Sequence, residues 1–152
     1  GEGPDMPLTP SEIHAQHVVM VEQHVLMSHA RVSWIEMEHS GQRYKLYCLG
    51  DVLTYPGFRR KGYGAKVVAA ATDLIRQDAT ADAAILFTDP ELGGFYGQSG
   101  WEHIPGFSYI LGNPAEPVNY NAFAMMLFFS PQAKQHRADF ATQTVYLPGY
   151  AW

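Results

Sequence analysis

One stretch of the chain carries the residue types that bind an anion. It reads VLTYPGFRRKGYG, from Val52 to Gly64, and it places three consecutive cations directly before two glycines. Glycine lets a backbone approach a phosphate closely, and the first turn of a helix presents unpaired N–H groups at the positive end of its dipole. We therefore expect a phosphate site if a helix follows the stretch, and a solvated surface turn is the alternative.

The residues behind this stretch have the periodicity of a helix with one buried face. The apolar residues at helical spacing are Val67, Val68, Ala71, Leu74 and Ile75. Before the stretch, Val52 to Tyr55 is a β-prone run that ends at a Pro-Gly turn. The stretch is not a P-loop, because GxxxxGK[S/T] is absent. It is not a dinucleotide fingerprint either, because Val67 stands where a third small residue is needed.

Composition indicates a folded domain and argues against several classes of protein. The 152 residues are 47% apolar and 16% charged, which fits one domain over residues 1–152. A net charge of -5 disfavours nucleic-acid partners and weakly favours cationic small molecules. Cys48 is the only cysteine and has apolar neighbours, so we expect a buried structural thiol and no disulfide framework. The apolar runs are too short to cross a membrane, so we expect a soluble cytoplasmic protein.

The first half of the chain predicts a helix followed by strands. We expect a helix from Ser11 to about Leu26, and then an antiparallel hairpin of strands His29–Glu38 and Arg43–Leu49. Gly50-Asp51 predicts a bulge or tight turn. After the long helix, Ala83–Phe87 is an apolar run typical of a strand buried on both faces, so we expect a parallel βαβ unit.

The second half gives fewer elements. We expect a short helix Glu91–Gln98, a strand that begins at Trp101 and a strand at Phe123–Phe129. Ser130 to Trp152 has no assignable pattern. Gly1 to Asp5, before Met6, are interpreted as an expression remnant.

Three histidines fall within the predicted N-terminal helix: His14, His17 and His24. A metal site needs at least three convergent ligands with supporting partners, and only His14 and His17 would share a turn. We therefore interpret them as solvated helix histidines and expect no metal site.

Two motifs resemble the signatures of a known family. Arg59 to Gly64 matches the pattern [Q/R]-x-x-G-x-[G/A], and Phe95 to Trp101, FYGQSGW, resembles FYxxxG[F/W]. Together, and in this order, they resemble the GCN5-related N-acetyltransferases, the GNAT superfamily, over roughly Ala30 to Phe129. The resemblance implies an α/β fold with a mixed, mostly antiparallel sheet. One parallel pair of strands would be splayed around acetyl-CoA, and helices would cover both faces.

The resemblance also implies where acetyl-CoA would bind. Its pyrophosphate would lie on backbone N–H groups between Arg60 and Ala65, and its pantetheine arm would lie beside the strand at Val52 to Thr54. Asp89 stands where many family members have an asparagine that contacts the pantetheine, and capping of the short helix is its alternative role. The implied cofactor-binding residues are Val52, Leu53, Thr54, Arg59, Arg60, Lys61, Gly62, Tyr63, Gly64, Ala65 and Asp89.

The implied reaction is attack by a neutral amine on the thioester, which needs a base for the amine and an acid for the thiolate. The family's tyrosine acid corresponds to Tyr96, which could instead pack the short helix on the sheet. The family's acidic residue near the start of the strand that leads to the phosphate loop corresponds to Asp51. A turn or cap role is the alternative for Asp51.

Aromatic residues of the last third would form the wall for the amine substrate by the same resemblance: Trp101, Tyr109, Tyr120 and Trp152. The terminal Trp carboxylate is also similar in layout to aminoglycoside 2′-N-acetyltransferases. The leading hypothesis is an N-acetyltransferase for a small cationic amine. A peptide or protein N-acetyltransferase and a non-catalytic acyl-CoA sensor are alternatives. The family's opening strand is not visible, so the sheet is truncated or completed by a partner, and a homodimer stays open.

Overall fold

The architecture is taken from a computed structural model, which describes residues 14–111 and 119–147, without the side chains of residues 119 and 120. The strands are β1 (Gln16–Glu22), β2 (Val25–His39), β3 (Gln42–Thr54), β4 (Ala83–Thr88), β5 (Glu102–His103), β6 (Ser108–Leu111), β7 (Asn119–Asn121), β8 (Phe123–Phe128) and β9 (Val145–Leu147). The helices are α1 (Tyr63–Arg76), α2 (Gly93–Gly97), α3 (Pro131–Gln135) and α4 (Asp139–Thr142), with 3₁₀ turns at Pro56–Phe58 and Pro90–Leu92. Within the described residues, no helix is long and apolar enough to cross a membrane.

Two sheets organise the molecule. A six-stranded sheet has the order β1-β2-β3-β4-β8-β5, and a three-stranded sheet has the order β7-β6-β9. In the larger sheet β3 and β4 run parallel and are joined through α1, whereas the other neighbours are antiparallel. The predicted parallel βαβ unit and the predicted mixed, mostly antiparallel sheet are therefore confirmed.

Each face of the larger sheet is covered by a hydrophobic core. On the α1 face, helix α1 buries the stripe predicted from the sequence, and its Val67, Val68, Ala71 and Ile75 are at most 1% exposed. On the opposite face, residues of the smaller sheet and of α3 and α4, among them Phe140, join the core. Burial of each large apolar side chain contributes about 1.5–3 kcal/mol, so these contacts fix α1 on the sheet.

The predicted N-terminal helix is wrong in the part that the structure describes. The residues from Gln16 onward form β1, which pairs with β2 in an antiparallel hairpin. Gln23 and His24 have φ of +51° and +65°, as in the two-residue turns that suit the twist of a hairpin. The β1 sequence QHVVMVE is rich in valine, whose branched side chain favours a strand over a helix. Ser11, the predicted start of that helix, lies outside the described residues.

The three N-terminal histidines are therefore not helix residues. His14 precedes β1 and stacks on Trp34, with ring centroids 3.9 Å apart. His17 lies on β1, and His24 lies in the turn. The sequence predicted a helix here and predicted that the opening strand of the sheet was missing. The structure has a strand, β1, at this position.

Other differences concern lengths. The two predicted strands on either side of Gly50 are one continuous strand, β3. The predicted helix Glu91–Gln98 is a 3₁₀ turn followed by the short α2, in which three of the five residues are glycine. The segment after Ser130, which had no assignable pattern, contains α3, α4 and β9. Ser130 caps α3, because its side chain accepts a hydrogen bond from Ala133 N.

Strands β3 and β4 pair over only part of their length. Leu46–Cys48 lies opposite Ala83–Ile85, although β3 continues to Thr54 and β4 to Thr88. Beyond this ladder β3 stays paired with β2, and β4 stays paired with β8. The sheet therefore opens between β3 and β4, and each strand directs unpaired backbone groups into the gap.

A bulge in β3 accompanies this opening. Arg31 on β2 lies opposite Gly50, whereas His29 lies opposite Leu53, so β3 has one extra residue between these pairs. Asp51 has a φ of +49° within the bulge. The predicted bulge is confirmed, although the aspartate rather than the glycine adopts the left-handed conformation.

Candidate functional site

The gap between the splayed strands is a cleft of about 450 Å³. Its walls come from the ends of β3 and β4, the 3₁₀ turn that follows β4, and α2. The lining residues are Leu49, Gly50, Asp51, Val52, Phe87, Thr88, Asp89, Leu92 and Tyr96. The structure thus brings the two predicted catalytic residues, Asp51 and Tyr96, into one cleft with the predicted coenzyme contacts Val52 and Asp89.

The basic loop lies between the end of β3 and the start of α1. Arg59 is tied back to the strand, because its Nε donates to the carbonyl of Thr54 at 3.1 Å. Arg60 and Lys61 are exposed and carry their charge beside the N-terminus of α1. Gly62, the N-cap, has a φ of +82° and no side chain that could cap the helix. The first N–H groups of α1 therefore remain for an external acceptor such as a phosphate.

The start of α1 is held against the sheet at two points. Ser28 on β2 is fully buried, and its hydroxyl donates to the carbonyl of Tyr63 at 3.1 Å. A Cβ at Gly64 would lie 3.1 Å from Thr54 Oγ1 and 3.4 Å from Phe95 Cζ. Gly64 therefore lets α1 approach both β3 and α2 closely, a packing role that the sequence motif did not predict.

Tyr96 lies on α2 at the wall of the cleft and is 7% exposed. Burial raises the pKa of the Tyr96 phenol above its ordinary value, and a hydrogen bond with the Thr88 side chain partly opposes that rise. The phenol is therefore protonated at neutral pH and suited to donate a proton. The same burial in the α1-face core also fits the packing role that the sequence left open.

The Asp51 carboxylate is largely exposed to solvent. The side chain is 60% exposed, and Oδ2 lies 3.2 Å from Nε of Arg31. The carbonyl of the same residue lies 2.9 Å from Nδ1 of His29, which must be the donor. Asp51 thus shapes the cleft wall through its backbone, and its carboxylate is engaged in an ion pair.

Asp89 follows β4 and lines the cleft. It precedes the 3₁₀ turn at Pro90–Leu92 with extended backbone, but its side chain makes no cap hydrogen bond. The alternative role as a side-chain N-cap is therefore wrong. Its position on the cleft wall keeps the predicted coenzyme contact as a prediction.

The predicted residues of the amine wall are not brought together. Trp101 is 3% exposed in the α1-face core, and its Nε1 donates to Thr72 Oγ1 at 3.0 Å, so it packs the fold instead of facing a ligand. Tyr109 on β6 stacks on Phe87, with ring centroids 4.8 Å apart, and so lies behind the cleft wall. The Tyr120 side chain and Trp152 lie outside the described residues.

Three residues at the site were missed by the sequence reasoning. Thr88 bonds with Tyr96, Ser28 fixes the start of α1, and His29 holds the bulge. A polar residue at the carboxyl end of a buried strand was the available signal for Thr88. Ser28 and His29 gave no local signal, because their partners are distant in sequence.

Cys48 forms the last pair of the β3–β4 ladder, opposite Ile85. It is 1% exposed, and burial raises the pKa of its thiol well above the ordinary value. It is therefore a protonated, structural thiol, as predicted.

Comparison with known proteins places this architecture in a family. The sequence profile described as an Acetyltransferase (GNAT) domain matches residues 8–104. No curated protein matches the chain. The profile match spans more than half of the chain and confirms the family that the two motifs predicted.

Solved structures share the fold at low identity. A GNAT family acetyltransferase from Brucella melitensis in complex with acetyl-CoA matches at 21% identity with a TM-score of 0.51, over 74% of this chain and 57% of that chain. Glucosamine-6-phosphate N-acetyltransferase from Arabidopsis thaliana matches at 22% identity with a TM-score of 0.51, over 59% of this chain and 60% of that chain. The KacTA–DNA complex matches at 14% identity with a TM-score of 0.55, over 82% of this chain and 74% of that chain.

The present chain spans less than two thirds of the length of the Brucella and Arabidopsis proteins. Likeness at these identities concerns the fold, whereas the profile match concerns the sequence itself. The splayed parallel pair, the basic loop at the N-terminus of α1 and the matched profile lead to one conclusion: the chain belongs to the GNAT acetyltransferase family.

Proposed function

We propose that the chain is an acetyl-CoA-dependent N-acetyltransferase that acts on a primary amine of a small molecule. One observation carries the proposal: the cleft opened by the splay of β3 and β4 has the basic loop near one end and the Tyr96 phenol on its wall. A long ligand with an anionic end fits this arrangement, because backbone groups, a helix N-terminus and cations follow one another along it.

The residues present suit acetyl-CoA. Beyond Cys48, β3 offers unpaired backbone groups to the cleft, and a pantetheine arm with its two amides could pair with them as a substitute strand. Arg60, Lys61 and the first N–H groups of α1 would hold the pyrophosphate. When bound, acetyl-CoA supplies an acetyl group activated as a thioester. The Brucella relative is a complex with the same compound.

The chain's own residues would manage protons. Tyr96, buried and protonated, would donate a proton at the leaving sulfur, and Thr88 would hold its hydroxyl in place. Asp51 was the sequence candidate for the base, and its ion pair with Arg31 would have to break for its carboxylate to take up a proton. A base of this kind typically contributes a factor of about 10²–10⁴ in rate.

A small cationic amine remains the proposed substrate. The net charge of -5 favours a cation, and the Arabidopsis relative is named for a small amino sugar phosphate. Tyr109, behind Phe87, would support the wall for the amine, and Tyr120 and Trp152 would be further parts of it. A cytoplasmic location, the absence of nucleic-acid partners and a homodimer stay part of the proposal and are not needed for the chemistry.

Calorimetry followed by a thiol-release assay tests the function. The full chain is titrated with acetyl-CoA and with desulfo-CoA, and a DNA duplex serves as a binding control. Release of free thiol from acetyl-CoA is then measured with small amines and with peptides that have free amino groups. Amine-dependent thiol release supports the proposal. Binding without release for any amine indicates a sensor domain, release only with peptides moves the substrate to proteins, and no acetyl-CoA binding ends the proposal.

A further inference from the structure

Two imidazoles lie in contact beside the cleft. Nδ1 of His17 on β1 and Nε2 of His29 on β2 are 2.8 Å apart. The other ring nitrogen of His29, Nδ1, lies 2.9 Å from the carbonyl oxygen of Asp51. Asp51 lines the cleft. A continuous chain of hydrogen bonds therefore runs from the edge strand β1 to the wall of the candidate active site.

The chemistry of these contacts fixes where the protons are. A carbonyl oxygen only accepts, so Nδ1 of His29 carries a proton and donates it to Asp51. In neutral His29 the Nε2 atom is then an acceptor, and Nδ1 of His17 must donate to it. The basic nitrogen of the pair is therefore Nε2 of His17.

The pair lies on the sheet face opposite α1. Side chains alternate along β2, and Ala30 and Val32 pack in the α1-face core. Ile35, at an odd-numbered position like His29, packs in the core of the opposite face. A ligand whose anionic end lies at the N-terminus of α1 would leave this opposite side of the cleft for the amine.

The distance from the pair to the cleft is short. His17 lies opposite Arg31, and Arg31 lies opposite Gly50, which lines the cleft. Neighbouring strands are about 4.8 Å apart, so the backbone of His17 is about 10 Å from that wall, a separation that the imidazole side chain and bridging waters can span.

We propose that His17 and His29 form a proton relay that deprotonates the amine substrate, an inference that rests on the proposed transferase function. One N–H bond of the ammonium breaks and an N–H bond forms at Nε2 of His17, through bridging water. The Nδ1 proton of His17 moves to Nε2 of His29. The positive charge then resides on His29, whose Nδ1–H donates to the Asp51 carbonyl. The exposed His17 later releases its Nε2 proton to solvent as the Nε2 proton of His29 returns to Nδ1 of His17, which restores both neutral rings and balances the one proton lost by the amine.

Arg31 on β2 and Asp51 on β3 are the charged groups beside the pair. Their arrangement favours the imidazoles over the Asp51 carboxylate as the base. Arg31 on β2 holds the Asp51 carboxylate in an ion pair at 3.2 Å. A proton taken up by the carboxylate would disrupt this pair. A proton taken up by the relay breaks no such interaction, because the hydrogen bond between the two rings persists with donor and acceptor exchanged.

Asparagine variants separate the relay from a structural role. The Asn amide lies near the position of imidazole Nδ1, so His29→Asn keeps a donor for the Asp51 carbonyl and His17→Asn keeps a donor toward His29, while each lacks Nε2. We expect each variant to lower kcat/KM about 10²-fold and to lose the rise of kcat/KM between pH 5 and 8, with acetyl-CoA affinity unchanged. His24→Asn is the matched control, because its turn position has a φ of +65° that asparagine tolerates, and it should behave as the unsubstituted chain.

Nitrogen-15 NMR of the histidine side chains in the ligand-free chain gives a readout that does not need turnover. We expect Nδ1–H on both neutral rings and a titration of His29 that changes in His17→Asn, because the two rings share one added proton. Independent titration of the rings, or Nε2–H on neutral His29, overturns the relay. A kcat/KM profile that is retained in both Asn variants but lost in Asp51→Asn also overturns it and assigns the base to Asp51. Coupled titration without thiol release for any amine refutes the proposed function and the relay with it, while the hydrogen-bonded pair itself stands.

Discussion

The surroundings of Tyr96 and Asp51 decide whether each side chain can donate or accept a proton. The Tyr96 phenol is buried beside Thr88, so it holds its proton at neutral pH. The Asp51 carboxylate is largely exposed and ion-paired with Arg31. One cleft thus combines a retained phenol proton with a carboxylate that is already engaged, which suits Tyr96 as the acid and leaves the base to be found nearby.

Removal of the Tyr96 hydroxyl tests the acid role. We expect Tyr96→Phe to lower kcat about 10²-fold, because positioned acids contribute at least that factor, and to leave acetyl-CoA affinity unchanged. Steady-state kinetics and calorimetry check the two parts. Tyr55→Phe, at an exposed tyrosine, is the control and should keep its kcat. An unchanged kcat in Tyr96→Phe would restrict Tyr96 to packing.

Gly64 is a second residue whose surroundings make a prediction. A Cβ there would lie 3.1 Å from Thr54 Oγ1, so in Gly64→Ala either the Thr54 side chain or the start of α1 must shift by a few tenths of an ångström. We expect a loss of about 1–3 kcal/mol of stability, as for other overpacked sites, and about tenfold weaker acetyl-CoA binding. Gly57→Ala is the matched control, because a Cβ at Gly57 meets nothing within 4 Å. Equal melting temperatures and affinities for the two variants would contradict the close approach.

At the scale of elements, α1 is held at both of its ends. Its start is fixed by Ser28 and Gly64, and its end is tied to β3 through Asp78. Asp78 Oδ2 accepts hydrogen bonds from Lys45 Nζ at 2.7 Å and from the Tyr47 hydroxyl at 2.6 Å. The helix whose N-terminus is the proposed anion site is therefore anchored by a network at its other end.

This anchor predicts an acid-sensitive part of the stability. The hydrogen bond from Lys45, and then that from Tyr47, hold the pKa of Asp78 well below its usual range. The unfolded chain therefore binds a proton at Asp78 at higher pH than the folded chain does. The stabilisation is present above about pH 4 and is lost progressively as the pH falls below it.

Urea unfolding at pH 7 and at pH 3 measures this contribution. We expect Asp78→Asn to lose less stability between the two pH values than the unsubstituted chain. Asp73→Asn, at an exposed position of the same helix, should keep the full loss. If Asp78→Asn is as acid-sensitive as the unsubstituted chain, the anchor does not contribute.

Elements whose sequence pattern is local could be predicted. Elements whose apolar spacing fits both a helix and a strand could not. The strand, loop and helix around Gly62 were readable because turn, cations and apolar stripe are contiguous. The N-terminal segment failed because Val18, Val21 and Val25 fit a helical spacing as well as a strand. Its branched side chains and the Gln23-His24 turn decided for a hairpin.

At the scale of the whole molecule, contacts between distant segments complete the site. The smaller sheet pairs Tyr109 with Val145 and covers the opposite face of the larger sheet. The hydrogen-bonded pair of His17 and His29 likewise joins β1 to the bulge in β3. Such pairings depend on the path of the entire chain, which is why the sequence indicated the family and the strand–loop–helix order around Gly62 but neither Trp101 in the core nor the histidine pair.

The opening between β3 and β4 predicts where a ligand would protect the chain. Acetyl-CoA at about 100 times its Kd should stabilise the fold by about 2.7 kcal/mol and raise the melting temperature by roughly 5–10 °C for a domain of this size. Hydrogen exchange should slow mainly in the part of β3 after Cys48 and in the loop before α1. Protection confined to other segments would place the ligand elsewhere.

The thiol at the last rung of the ladder has a consequence for chemical selectivity. A thioester held in the cleft would lie close to the chain's only cysteine, and a thiolate there would undergo thiol–thioester exchange with it. Because burial keeps Cys48 protonated and enclosed, the intact mass should not increase on incubation with acetyl-CoA alone. Burial of Cys48 would thereby keep a thioester bound in the cleft from acylating the protein itself.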